Sequence, residues 1–162
     1  MLEIDEMDSE EIHELIAGSS FGHLGCSRDD EPYVVPINYA YVEPHIYIYT
    51  TEGKKADILK VNPRVCLQIE HVKDRTDWQS VILHATAHEV HDLDERERAV
   101  RAILKINPTL TPAISVHWMD EWVRENIEII FRLDPISKSG RKTKRKKARP
   151  FARRRAARPP EF

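Results

Sequence analysis

Between Ile46 and Leu67 the chain reads IYIYTTEGKKADILKVNPRVCL. A β-branched and aromatic run ends in Thr50-Thr51, a glycine and the pair Lys54-Lys55. Ala56, Ile58 and Leu59 then fall at helical spacing, and Asn62-Pro63 leads into another apolar run. Strand, turn, short helix and strand therefore follow one another within about twenty residues. The lysines are oddly placed. Both belong to the first helical turn, where the backbone already presents partial positive charge, and a cation there costs roughly 0.3–1 kcal/mol unless an anion compensates it. Free amide N–H groups at a helix start, two ammonium groups and two preceding hydroxyls together form a receptor for a phosphate. A surface helix whose lysines reach into water has the same local pattern, so the segment by itself leaves both readings open.

The rest of the chain sets the scale. Its 162 residues make one domain with room for a real core but not for two. Charge is distributed unevenly. Twelve of the 25 basic residues lie between Lys138 and Arg158, which hold no acid; residues 1–137 keep 13 bases against 26 of the 27 acids, a formal charge of −13. From Lys138 onward there is no apolar period, only like charge and proline. The chain therefore reads as an acidic folded domain over 1–137 and a basic, disordered tail over 138–162. That tail fits a non-specific polyanion arm such as a nucleic-acid contact, a contact to anionic lipid, or an extension without a role.

Cys26 and Cys66 sit in apolar runs with no CxxC partner, which suits buried thiols in a reducing compartment. Nothing at the N-terminus resembles a signal peptide and no apolar run is long enough to span a bilayer, so the expected location is the cytoplasm.

Along the chain, Asp8 with Glu11 reads as a capping box before a helix over residues 9–17. Strands are expected over 21–27, 32–42, 46–50, 65–72, 78–90 and 127–133, with Arg28-Asp29-Asp30-Glu31 as a hairpin connection. Pro36 places its strand at an edge or at a bulge. A helix is expected over 54–61, an amphipathic helix over 92–107 and a further helical piece over 113–124. Six antiparallel strands with helices in the connections make an α+β, mainly β barrel rather than a βαβ alternation.

Four pieces then stand in a telling order: FGHLGC, PYVVPINYAY, YTTEGKKADILKVNPRV and WQSVILHATAHEV. With them, residues 10–137 resemble the FMN-binding split barrel of the pyridoxamine 5′-phosphate oxidase superfamily, and most of all its nitroimidazole-resistance-like flavoproteins. The resemblance implies a six-stranded split barrel that binds FMN at a homodimer interface. It implies a phosphate held by Lys54 and Lys55, with Tyr49, Thr50 and Thr51 at the adjoining strand end. Pro36, Ile37, Asn38 and Tyr39 would run along the ribityl chain and ring, and Trp78 and Ser80 would reach the cofactor from a later strand. The vitamin B6 oxidases of the superfamily use a basic C-terminal segment to grip substrate. Here the fold is expected to close near Asp134, which argues against pyridoxamine phosphate as substrate.

Other constellations point less far. His84, His88 and His91 are spaced H-x₃-H-x₂-H, but their surroundings read as strand, where the third histidine turns away from the first two, so no metal site is expected. Trp118 and Trp122 stand four apart and suit packing in a core or dimer, or a lid. No GxGxxG is present, so any nicotinamide donor would visit without a dinucleotide-binding domain. The resulting expectation is an FMN-dependent oxidoreductase that passes two electrons to a small organic acceptor. The alternative is a carrier or sensor that holds flavin, or haem through a histidine, without turnover.

Overall fold

The structure, a computed structural model, describes residues 3–50, 52–106 and 129–144. Among them are strands β1 (Glu3–Glu6), β2 (Phe21–Arg28), β3 (Glu31–Asn38), β4 (Ala40–Val42), β5 (His45–Thr50), β6 (Arg64–Asp74), β7 (Asp77–Glu89) and β8 (Ile129–Lys144). The helices are α1 (Ser9–Gly18), α2 (Lys54–Val61) and α3 (Leu93–Leu104). Eight strands replace the expected six, for two reasons. The run 32–42 is broken at Tyr39 into β3 and β4, and the short, charged β1 has no hydrophobic pattern to betray it. None of the described helices is long and apolar enough to cross a membrane.

Every pairing is antiparallel, in the order β3-β2-β6-β7-β8-β5-β4, with β1 added to β8. The two ends of that path, β3 and β4, are consecutive in the chain and joined by Tyr39 alone. A sheet whose first and last strands are one residue apart has to curl until its edges face each other. The result is a barrel with an unpaired seam, the split barrel. Pro36 fits this place, because β3 is an end strand and has an edge where a missing N–H costs no ladder bond.

Alternation divides inside from outside. Leu24, Leu67, Leu83, Ile48, Phe131 and Leu133 are fully buried within the barrel. α1 covers one end with Ile12, Leu15 and Ile16. Its start is fixed by the expected capping box: Glu11 N–H donates to Asp8 Oδ1 at 2.9 Å and Asp8 N–H to Glu11 Oε2 at 3.0 Å. Such a cap is worth about 1 kcal/mol. A second, smaller core lies outside the barrel, where Ala99, Val100 and Ile103 of α3 pack on Ala40, Tyr47 and Ile130.

The β2–β3 connection is a two-residue turn in which Asp29 and Asp30 have φ of 52° and 61°. Both values lie in the left-handed region that two-residue hairpins require.

β8 departs most from expectation. It runs to Lys144, seven residues into the expected tail, pairing with β7 from Phe131 to Lys142 and with β1 at Arg141–Lys144. Gly140 lies under Met7 and Ile12, and Lys142 pairs with Glu11 of α1. The backbone ladder and one small buried residue hold a stretch that carries almost no hydrophobic pattern. Arg141 thus belongs to the sheet, opposite Ser80. The argument against pyridoxamine phosphate, which rested on the fold closing near Asp134, loses its premise. The expected helix 113–124, with Trp118 and Trp122, and the tail beyond Lys144 lie outside the described residues.

Candidate functional site

The turn between β5 and α2 has the features expected of an anion receptor. Gly53 occupies the N-cap position with φ 150° and offers no side-chain cap to the first N–H groups of α2. A residue with a Cβ is strained in that conformation. No described atom lies within 4 Å of where a Cβ at Gly53 would sit, so the approach to the helix start is open. α2 begins at Lys54, as expected from sequence, and its first two residues are the lysine pair.

The two lysines differ. Lys54 is exposed and holds its ammonium 4.8 Å from the centroid of the Tyr33 ring, a cation–π contact. Lys55 is partly buried, and that burial pushes its ammonium below the usual lysine pKa range. Among the described residues no carboxylate pairs with it; the group it senses is the Cys26 thiol. Lys60, at the other end of the same helix, reaches Glu52 at 3.2 Å. A desolvated ammonium left without a counter-ion at a helix start is costly unless an anion completes it. Thr50 is buried at the end of β5 and Tyr49 is half-buried beside it. Thr51 lies outside the described residues.

The remaining candidate residues fall into two sets. Ile37 and Tyr39 turn inward and belong to the core. Tyr39 is fully buried, and its hydroxyl donates to the Ile16 carbonyl at 2.7 Å, so its phenol is already committed. Pro36 and Asn38 alternate outward. Trp78 and Ser80 face outward from β7 in the same way. The register places Pro36 beside His23, Gln68 and Ile82 on successive strands, and Ser80 between Glu70 and Arg141. The outer face of the barrel thus collects Pro36, Asn38, Trp78 and Ser80.

It does not join them to the lysines in one pocket. From Tyr33, which touches Lys54, to Asn38 the strand rises about 17 Å at roughly 3.3 Å per residue. An extended phosphorylated cofactor would have to bridge that distance.

Ser80 is part of a polar strip that sequence reasoning missed. Gln68 Nε2 donates to Glu70 Oε2 at 2.8 Å and to Ser80 Oγ at 3.3 Å, while Gln68 Oε1 lies 3.2 Å from His23 Nδ1. The signal was the alternation in LQIE and FGHL, which puts Gln68 and His23 on the polar side of their strands. Also missed was a cleft of about 430 Å³ beside α2, lined by Arg28, Asp29, Glu31, Tyr33, Lys54 and Asp57 among others. Trp78 is held by its backbone: its N–H donates to Thr143 Oγ1 at 3.0 Å, and the Thr143 hydroxyl donates to its carbonyl at 3.3 Å.

On the far side of the barrel, Arg132 Nε and Nη2 donate to the two oxygens of Asp134 at 2.8 and 3.0 Å, and Nη1 donates to Glu95 at 2.9 Å. His45 Nδ1 lies 2.8 Å and His88 Nε2 3.5 Å from the same Asp134 carboxylate. His84 and His88 share one face of β7, as the strand reading of that segment expected, and both are exposed.

Known proteins share this architecture. A crystallised FAD-binding protein of Mesorhizobium loti is 26% identical, with 86% of this chain and 97% of that chain covered and a TM-score of 0.70. The fold is also that of a Bacteroides thetaiotaomicron protein assigned to 5-nitroimidazole antibiotic resistance, at 18% identity, 88% and 89% coverage and a TM-score of 0.67. An uncharacterised protein of Rhizobium meliloti is 38% identical over 77 residues, which are 48% of this chain and about half, 51%, of that protein. A family model described as pyridoxamine 5′-phosphate oxidase matches residues 8–142, from the Asp8 cap through most of β8. The chain belongs to the pyridoxamine 5′-phosphate oxidase family.

Proposed function

We propose that this protein is a homodimeric flavoprotein that holds the phosphate of FMN at the start of α2 and passes electrons in pairs to a small organic acceptor. The observation that carries the reading is Lys55, a partly buried ammonium without a carboxylate partner among the described residues, beside an uncapped helix start. An anionic phosphate supplies what that ammonium lacks, and the donor set fits it: two lysines, free N–H groups and a glycine that permits close approach. The likeness to the Mesorhizobium FAD-binding protein supports the choice of a flavin as the group that carries the phosphate.

When bound, the flavin supplies two-electron redox chemistry, and the protein's part is to bind, orient and shield it. Lys54 and Lys55 neutralise the phosphate, and Gly53 leaves room for it. Pro36 and Asn38 hold the rest of the cofactor along the outer side of β3. Ser80, oriented by Gln68, offers a hydroxyl to its polar edge.

The same outer face exposes Phe21, Val34, Val72 and Ile82, which are 48, 65, 59 and 42% accessible. A second copy of the chain laid on this face would cover that apolar surface and exclude water from the cofactor.

The test is an absorption spectrum of the purified protein before and after FMN and then NADPH, with its molar mass measured in solution. Bound flavin that bleaches with NADPH and recovers with an acceptor, in a dimer, supports the reading. Flavin that binds without bleaching makes the protein a carrier. A colourless protein that does not take up FMN refutes both.

A further inference from the structure

The polar strip behind Ser80 fixes the chemistry of a histidine that the flavin reading leaves unused. Glu70 carries a carboxylate, which only accepts, so the amide nitrogen of Gln68 faces it at 2.8 Å and also donates to Ser80 Oγ at 3.3 Å. The amide oxygen is thereby turned the other way, where it lies 3.2 Å from His23 Nδ1. An amide oxygen also only accepts. His23 Nδ1 therefore carries the ring proton and donates it to Gln68, which leaves Nε2 to exchange a proton with whatever it meets.

Nε2 has no partner among the described residues. The ring is half-buried and stands edge-on to Phe21, with the centroids 5.5 Å apart. It lines a cleft of about 220 Å³ together with Phe21, Gly22, Glu70 and Val72. A complete small-molecule site begins at roughly 300 Å³, so this cleft suits the reacting end of a ligand. The register sets His23 between Pro36 of β3 and Gln68 of β6, with Ile82 next on β7. That is the middle of the outer face along which the cofactor is proposed to lie. The charged groups around it are few. Glu70 shares the cleft and is joined to the ring through Gln68, β3 places the uncharged Pro36 beside it, and Arg141 of β8 stands farther off, opposite Ser80.

Hydride transfer to an organic acceptor leaves an anion that needs a proton. We propose that His23 is the catalytic acid that supplies it, with Gln68 and Glu70 as positioning residues. The inference rests on the flavin reading above and adds the proton donor that reading lacks. As the imidazolium, His23 releases its Nε2 proton to the acceptor while Nδ1–H stays bonded to Gln68. The acceptor gains a hydride from the reduced flavin and a proton from Nε2, the flavin is left oxidised, and solvent restores the imidazolium. A positioned acid of this kind contributes about 10²–10⁴-fold to a rate.

Two measurements test it. ¹⁵N NMR of the apoprotein, with the His23 signals assigned by their loss in His23→Gln, reads the tautomer without any flavin. The neutral wild-type ring should be protonated at Nδ1, and Gln68→Leu should release that preference. A neutral ring protonated at Nε2 in the wild type would overturn the proposal. In the second measurement, FMN-loaded protein reduced with stoichiometric dithionite is mixed with methyl red, an azo dye whose hydride adduct is a strongly basic nitrogen anion. His23→Gln should slow re-oxidation ~100-fold and Gln68→Leu ~10-fold. The wild-type rate should fall as the pH rises, and the His23→Gln rate should stay flat. If His23→Gln fails to fold, the Gln68→Leu rate and tautomer decide the matter. Variants that bind FMN and are re-oxidised at the wild-type rate, with the wild-type pH dependence, would overturn the catalytic role and leave the flavin site standing. A wild type that takes up no FMN would overturn both.

Discussion

Tyr39 donates its hydroxyl to the carbonyl of Ile16 at 2.7 Å, and through that bond the one residue linking the two ends of the sheet is fastened to the last turn of α1. Tyr39 N–H also donates to the Ser20 carbonyl at 2.9 Å. The seam of the barrel is therefore fixed from inside, at the point where β3 leaves its ladder.

Tyr39→Phe strands a buried carbonyl at a helix end, and should cost about 1–3 kcal/mol in urea unfolding. Burial also pushes the Tyr39 phenol far above the usual tyrosine range. A raised folded pKa means stability that is present below about pH 10 and lost as the pH climbs toward the folded value. The wild type should therefore weaken above pH 10 more steeply than the phenylalanine variant. Parallel alkaline limbs for the two proteins would contradict this role.

Lys55 is predicted to oppose folding and favour binding. Its pKa is depressed by burial, so the charged form destabilises the apoprotein at neutral pH, and the penalty fades as the pH rises through the folded pKa toward the unfolded value. Lys55→Met should leave the apoprotein's thermal midpoint equal or higher. Its flavin affinity should fall by ~10–100-fold, the worth of one charge-assisted hydrogen bond. A variant that is less stable and binds flavin normally would show the lysine to be structural.

A Cβ at Gly140 would lie 2.8 Å from Met7 Sδ, 2.9 Å from Met7 Cβ and 3.0 Å from Ile12 Cγ1. Gly140→Ala should thus cost about 1–3 kcal/mol by overpacking, measured by chemical unfolding. Truncation after Ser137 should abolish cooperative unfolding altogether, since it removes the ladder to half of β7 and to β1. A truncated chain that unfolds like the full one would show that residues 138–144 are not part of the folded unit.

Arg132 sets the acid limit on the far side of the barrel. Burial works against the Asp134 and Glu95 carboxylates, but the hydrogen bonds and charge of Arg132, with Tyr47 and Arg98 at Glu95 and His45 at Asp134, together outweigh it and hold both below their usual ranges. Depressed carboxylates contribute stability that is present above about pH 4 and lost as the pH falls through the folded values. Arg132→Met should cost about 1–2 kcal/mol at neutral pH and flatten the acid limb below pH 4. An unchanged acid limb would place the acid-sensitive groups elsewhere.

The parts of the fold legible in sequence are those where local chemistry and tertiary demand coincide. The Asp8–Glu11 box, the Asp29-Asp30 turn, the edge position of Pro36 and the start of α2 at Lys54 each follow from a side chain's own preference. β1 and the outer half of β8 were illegible because they are held by backbone pairing, one buried glycine and long-range polar contacts such as Lys142 with Glu11 and Thr143 with Trp78, none of which makes a local hydrophobic pattern. Tyr39 reads as one more strand residue, since its role as the pivot between β3 and β4 depends on Ile16, 23 positions away.

The site was legible in the same uneven way. The lysine pair and Pro36, Asn38 and Ser80 are candidates named by pattern and family likeness. The strip through Gln68 and the cleft at Tyr33 depend on which strands become neighbours, and a linear pattern does not show that.

The most direct test compares FMN with riboflavin, which is the same flavin without the phosphate, by equilibrium titration of the wild type and of the Lys54→Ala, Lys55→Ala double variant. A phosphate held at the start of α2 predicts wild-type affinity for FMN ~100-fold or more above that for riboflavin, falling to near parity in the double variant. Equal wild-type affinity for FMN and riboflavin, or a preference for FMN that survives loss of both lysines, would contradict a phosphate site there.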